Sequence, residues 1–200
     1  MTNSEEKLLT KAFQIMNVLE RAGFNPRLSG SLMLSVIGVK KSREASDIDI
    51  IIDKGVMESR SDVQSVRFYA SFFLTVFKNA LIDAGIYSYG KTSNMNESDT
   101  YGLAFIIDGV KVDIIPSYEI ESETINGIKC ASLFVLLSAK YKFSVDDKSP
   151  ESKAKHRNDV GYIMSNNTFG FDMYDLAAEY FLQHTPNDRA ISNIDDIKAL

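Results

Sequence analysis

Asp47 and Asp49 flank a single isoleucine inside "SDIDIIID", an otherwise apolar, β-branched run. Such a run reads as a strand from Asp47 to Asp53. Side chains alternate faces along a strand, so both carboxylates point one way while Ile48, Ile50 and Ile52 point the other, into a core. Two like charges on one strand face repel, and a divalent cation is the simplest compensation. A third acid, Asp113, is bracketed by Val112 and Ile114 in a second apolar strand, "VKVDIIP", which Pro116 is expected to end. If the two strands are neighbours, three carboxylates converge. Such a set can hold one or two magnesium ions, ~3.5–4 Å apart when there are two, an arrangement suited to phosphoryl or nucleotidyl transfer.

Gly30-Ser31 would serve the same chemistry. The pair follows a short extended piece, Asn25–Ser29, and opens a short helix from Ser31 to about Ile37. Glycine lets backbone approach a phosphate, helix N-terminal N–H groups bind anions, and Ser31 adds a hydroxyl. Each element taken singly also has an ordinary reading: a turn for Gly-Ser, a solvated edge strand for Asp-x-Asp, a strand-end residue for Asp113.

The elements that must position these residues follow from periodicity. Ser4 with Glu5-Glu6 starts a helix, acids at the positive end of its dipole, and Gly23 stops it. Asp62 to about Ala84 is a long apolar helix ended by Gly85. Ile86–Lys91 reads as a strand and Thr92–Thr100 as a loop. Tyr101–Ile107 and Val110–Ile115 are strands joined by an Asp108-Gly109 hairpin turn, and Asn126-Gly127 marks another turn. From Ala131 the pattern is helical, with helices expected at Ser132–Phe143, Lys153–Met164, Asp172–Gln183 and Pro186–Leu200. The fold expected is therefore α+β: a mixed β-sheet domain flanked by helices over 1–128, then a helical bundle over 129–200.

Composition narrows the chemistry further. Two hundred residues with 44% apolar content suit one domain, or one domain with a smaller appendage. Cys130 is the only cysteine, which excludes an intrachain disulfide and a cysteine-rich zinc site. With His156 and His184 the only histidines, any metal is expected to be a hard cation held by oxygen. No apolar stretch approaches the ~18 residues of a membrane span. The N-terminal MTNSEEKLLTK carries acids where a signal peptide needs basic and apolar residues, so the expectation is a cytoplasmic protein. The net charge of −5 argues against a surface coated for nucleic acid but leaves room for a local basic groove.

Together, "LSGS", "SDIDI" and "VKVDII" resemble the nucleotidyltransferase superfamily that includes DNA polymerase β: hydrophobic-Gly-[Gly/Ser], then Asp-h-[Asp/Glu]-h, then a third acid on a later strand. The gap after Gly-Ser is longer here and implies an extended loop at Gly38–Ser46. Within the superfamily, "REASDIDI" resembles the Arg-x-(Ser/Thr)-x-Asp-h-Asp run of the abortive-infection nucleotidyltransferase toxins of AbiEii type. "INGIKCASLFVLLSAKYKF" resembles their entry to a helical part, where a Leu-rich helix carries a lysine, matched by Lys140. "KAKHRNDVGYI" resembles their basic-basic-x-Asp stretch and carries over to Arg157 and Asp159, with Asn158 where lysine is frequent. The resemblance spans about Leu28 to Ile163.

The resemblance implies that Asp47, Asp49 and Asp113 hold magnesium (or manganese) and act in catalysis, and that Gly30, Ser31, Lys140 and Arg157 bind a nucleoside triphosphate. Lys140 would reach the triphosphate across a cleft between two domains. Arg43, Ser46, Lys155 and Asp159 are further candidates. The acceptor implied is a hydroxyl of RNA such as tRNA, of a protein or of a small molecule, and a toxin would have an antitoxin partner. On the residues alone, Lys140 reads as a lysine near a helix C-terminus and His156 as a surface residue rather than a catalytic base, while Asp159 can be an i,i+4 partner of Lys155 and the Lys153–Arg157 run either a solvated face or a basic patch for a triphosphate or RNA backbone. Lys40, Lys41 and Arg43, in the loop before Asp47, are where an acceptor would be read. The reading from a different class is a catalytically silent nucleotide- or partner-binding module.

Overall fold

A computed structural model of the chain describes residues 1–39, 43–53, 55, 66–86, 103–117, 121–146 and 149–165. The chain divides into two compact units. One is Met1–Ile37 with Glu44–Ala131; the other is Gly38–Arg43 with Ser132–Leu200.

The first unit is α+β. Helix α1 (Asn3–Arg21) begins two residues earlier than Ser4 suggests, because Thr2 is its N-cap: Glu5 N–H donates to Thr2 Oγ1 at 3.3 Å and Thr2 N–H to Glu5 Oε2 at 3.2 Å. That reciprocal pair satisfies two donors that the first turn leaves open. At the other end Gly23, at φ +80°, donates to Glu20 O, and Phe24 N–H to Leu19 O, closing the helix as expected of a glycine stop. Strand β1 (Arg27–Ser29), helix α2 (Gly30–Val36), strand β2 (Asp47–Asp53) and helix α3 (Val66–Asp83) follow. Strands β3 (Leu103–Ile107) and β4 (Val110–Ser117) form a hairpin, as do β5 (Ser122–Ile125) and β6 (Ile128–Ala131). Both turns are two-residue, Asp108-Gly109 and Asn126-Gly127, with positive φ at each position, the geometry whose twist matches antiparallel strands.

The six strands make one mixed sheet in the order β3-β4-β2-β1-β6-β5. β2 is central, parallel to β4 and antiparallel to β1, and β1 is parallel to β6. Helices α1 and α2 pack against β2. Ile48, Ile50, Ile52, Val112 and Ile114 are fully buried on one sheet face, with Ala12, Ile15 and Leu19 of α1 in the same core. Phe24 and Phe77 meet edge to face, ring centroids 4.7 Å apart. β4 runs two residues past its predicted end. Pro116 lies inside it, opposite Ile52 and beyond the last pair to β3, Leu103 with Ile114, so its missing N–H falls outside that described ladder.

The second unit holds helices α4 (Leu133–Asp146) and α5 (Pro150–Ser165), which pack on each other through residues including Leu136, Tyr141, Val160 and Ile163. Ser132 caps α4, its Oγ accepting Val135 N–H, and Ser149 caps α5, with Pro150 at the first helical position. The Ser-Pro start places α5 three residues earlier than predicted. The helices expected at Asp172–Gln183 and Pro186–Leu200, the strand expected from Ile86 beyond its first residue, the loop at Thr92–Thr100, and Lys40 and Lys41 lie outside the described residues. Among the described residues no helix is long and apolar enough to cross a membrane.

Candidate active site

The strand pairing that the acids require is present. β2 and β4 are parallel neighbours, and Asp49 stands directly opposite Asp113, with Asp47 opposite Lys111. Paired residues share a face, so Asp47, Asp49, Lys111 and Asp113 all emerge on the face opposite the isoleucine core. The row continues on both sides: Ala104 of β3 pairs with Asp113, and Ser29 of β1 with Asp49. Small residues thus border the two central acids. All three aspartates are partly exposed, between the buried positions of their strands.

Gly30 follows Ser29 at φ +67°, a backbone conformation that L side chains rarely adopt. A Cβ there would lie 2.6 Å from Asp49 Cγ and 2.8 Å from Asp49 Cβ, and closer still to Oδ2. The glycine is therefore needed twice, for its φ and for the room it leaves to the carboxylate. Ser31 is 3% exposed, and Ser46 is exposed one residue before Asp47.

Lys111 is the residue of this acid face that sequence reasoning missed. Its Nζ contacts Asp113 Oδ2 at 2.5 Å, while half of its side chain stays exposed. Burial pulls its pKa down, but the hydrogen bond and charge of Asp113, with the charges of Asp47 and Asp49, outweigh that and hold the ammonium's pKa above its ordinary value. The alternation in "VKVDIIP" puts Lys111 on the face of Asp113, which was the available signal. Arg27, fully buried, emerges on this face too, opposite Ile51.

Among the described residues no group of three or more His, Cys, Asp or Glu side chains is gathered as a metal-binding cluster. The donors nonetheless fit a hard divalent cation in kind: carboxylates at adjacent register positions, one already holding a cationic group, the Lys111 ammonium.

The approach to β2 is held by another buried acid. Glu5, 3% exposed, accepts Ser35 Oγ–H at 2.8 Å and Ala45 N–H at 2.9 Å on Oε1, besides Thr2 N–H on Oε2. One carboxylate thereby ties the start of α1, the last turn of α2 and the residue two before Asp47.

In the second unit Lys140 and Asp159 form a buried ion pair, Nζ to Oδ2 2.7 Å, with Asp159 1% exposed and Lys140 5% exposed. Arg43 Nη2 approaches the same oxygen at 3.4 Å. Asp159 therefore serves Lys140 and Arg43, where the sequence offered Lys155 as a helical i,i+4 neighbour. α4 continues to Asp146, so Lys140 lies mid-helix and the dipole reading for it falls away. Arg157 is exposed and Lys155 half-buried. His156 is half-buried with its ring against Phe143, centroids 5.3 Å apart.

No family model matches the sequence, and no curated protein matches it. Solved structures do match in fold. The antibiotic-resistance factor ANT(2'')-Ia aligns over 91% of this chain and 95% of its own, at 12% identity and TM-score 0.58. A candidate nucleotidyltransferase from H. pylori aligns over 98% of this chain and 88% of its own, at 14% identity and TM-score 0.50. The likeness is one of fold, and in this chain that fold is a mixed six-stranded sheet flanked by helices.

Proposed function

We propose that this protein is a metal-dependent nucleotidyltransferase that moves a nucleoside monophosphate from a nucleoside triphosphate to a hydroxyl acceptor, releasing pyrophosphate. The observation that carries the reading is the register of Asp49 with Asp113, Asp47 on the same face and Gly30 directly beneath Asp49. Asp47, Asp49 and Asp113 would hold magnesium or manganese, which supplies charge neutralisation of the triphosphate and a more acidic acceptor hydroxyl. Asp113 also favours removal of the acceptor's proton. Gly30 and Ser31 position the phosphates. On the resemblance, Lys140 and Arg157 would contact the triphosphate and Lys140 would stabilise charge developing on the leaving group, for which it would have to leave its buried pair with Asp159.

The finer reading keeps the resemblance to the AbiEii-type toxins, with a nucleotidyltransferase domain over 1–128, a helical bundle over 129–200, a cytoplasmic setting, an antitoxin partner, and an acceptor that is RNA such as tRNA, a protein or a small molecule. Incubation of the protein with each labelled triphosphate, magnesium and total cell RNA tests the activity and finds the acceptor. Asp47→Asn and Asp49→Asn are expected to abolish labelling with the circular dichroism spectrum unchanged; undiminished turnover in Asp49→Asn would sink the assignment.

A second reading, a catalytically silent nucleotide- or partner-binding module, is favoured by the Lys111–Asp113 ion pair, which neutralises an acid without a metal. Thermal stabilisation by triphosphate with magnesium, lost in Asp47→Asn, supports the enzyme. Absence of any response to triphosphates supports the module.

A further inference from the structure

Lys111 stands where a surface lysine would ordinarily have open solvent on all sides. Instead its register partner is Asp47, its ion-pair partner is Asp113, and Asp49 is the residue opposite Asp113. Half of the side chain is exposed, so nothing in the packing forces the ammonium onto the acids; their charge draws it there. The contact consumes one oxygen of the central acid row, Asp113 Oδ2.

From this placement we propose that Lys111 is the resident counter-cation of the acid face and sets its affinity for divalent cations, which must displace the ammonium from Asp113 to bind. The proposal deepens the nucleotidyltransferase reading and rests on it for its purpose. Without a triphosphate the ammonium keeps Asp113 paired and the face is not held loaded with free cation. Triphosphate arriving with its own cation adds the binding energy that moves the lysine aside. An ammonium on a half-exposed four-carbon stem is suited to this, since it can leave the carboxylate for water without disturbing the strand. Lys111 is in this sense a specificity-determining residue, favouring the cation–triphosphate complex over the cation alone.

The test is direct titration of the full chain with manganese alone, read by electron paramagnetic resonance, in the wild type and in Lys111→Gln, Lys111→Met, Asp113→Asn and the Lys111→Gln/Asp113→Asn double variant. Lys129→Gln removes the same charge from β6, where the ammonium contacts Asn25, and serves as the control. Thermal unfolding of each variant establishes that it is folded. Both Lys111 variants are expected to bind manganese roughly two- to fivefold more tightly than the wild type, the fold-change of an ion pair of this exposure. Lys129→Gln should match the wild type, and removing Lys111 should have no further effect once Asp113 is asparagine.

Equal or weaker binding in the Lys111 variants overturns the proposal. So does the absence of manganese binding in all forms, and so does tightening that survives in the Asp113→Asn background. Nucleotide transfer is measured separately. Tightening without any transfer by the wild type leaves Lys111's role standing and removes the enzyme reading. Transfer without tightening does the reverse.

Discussion

Asp49 lies over the Cα of Gly30 so closely that position 30 has no room for a side chain. The Gly30-Ser31 turn and the first acid row are thus one packed object. Gly30→Ala is expected to incur backbone strain on the order of 1–3 kcal/mol and to push Asp49 out of its row. Gly109→Ala, at φ +79° with no atom within 4 Å of the new Cβ, carries the strain without the collision. Nucleotide transfer should be lost in the first and kept in the second, with thermal unfolding recording the strain in both.

Removing Asp159 takes away the buried carboxylate that Lys140 pairs with. Asp159→Ala is expected to cost about 3–5 kcal/mol, the range for breaking a buried pair from one side. Replacing both partners, as Lys140→Met with Asp159→Leu, should recover much of that loss. Urea unfolding of the single and double variants measures both. A change within error for Asp159→Ala would show that the ion pair adds nothing to stability.

Glu5 gathers three donors from three segments, so Glu5→Ala leaves buried groups unsatisfied and is expected to cost about 1–3 kcal/mol. Glu5→Gln keeps one acceptor oxygen and should lose less. Hydrogen exchange at the Ala45 amide provides a local reading: protection should fall in Glu5→Ala before the β2 amides open. Equal protection in variant and wild type contradicts the tie between Glu5 and the entry to β2.

Cys130 is fully buried in β6, and burial first, then the charge of Glu123, pushes its thiol up to about 11. A raised thiol pKa means less thiolate, about 0.1% at pH 8, and the thiolate is the reactive form. Alkylation of the native protein at pH 8 should therefore be roughly a hundredfold slower than after denaturation, where an ordinary thiol is partly ionised. Mass spectrometry over a time course decides this; native labelling at the denatured rate would contradict the burial of β6.

Much of the acid face was legible because it depends on local alternation. Asp47 and Asp49 share a face wherever a strand runs through them, and Asp108-Gly109 forces the β3–β4 hairpin. β5 was not legible: its exposed residues, Ser122, Glu123 and Thr124, carry no apolar alternation, and it is a strand because β6 pairs with it. The cap at Thr2 did carry a local signal, Glu5 three residues on, which taking Ser4 as the helix start passed over.

The sequence by itself determined the periodicities: which residues of each strand share a face, where glycine must turn the chain, and that the chain from Ala131 runs as helices through α4 and α5. Only the tertiary structure decided that β4 lies parallel beside β2 with Asp113 at the level of Asp49, that Lys111 reaches Asp113, and that Asp159 belongs to Lys140. The reason is physical. A side chain's face follows from the two or four bonds around it, whereas strand order and register follow from burying the isoleucine face under α1 and α2. That burial joins residues more than sixty positions apart, and no local pattern encodes which of the available strands becomes the neighbour.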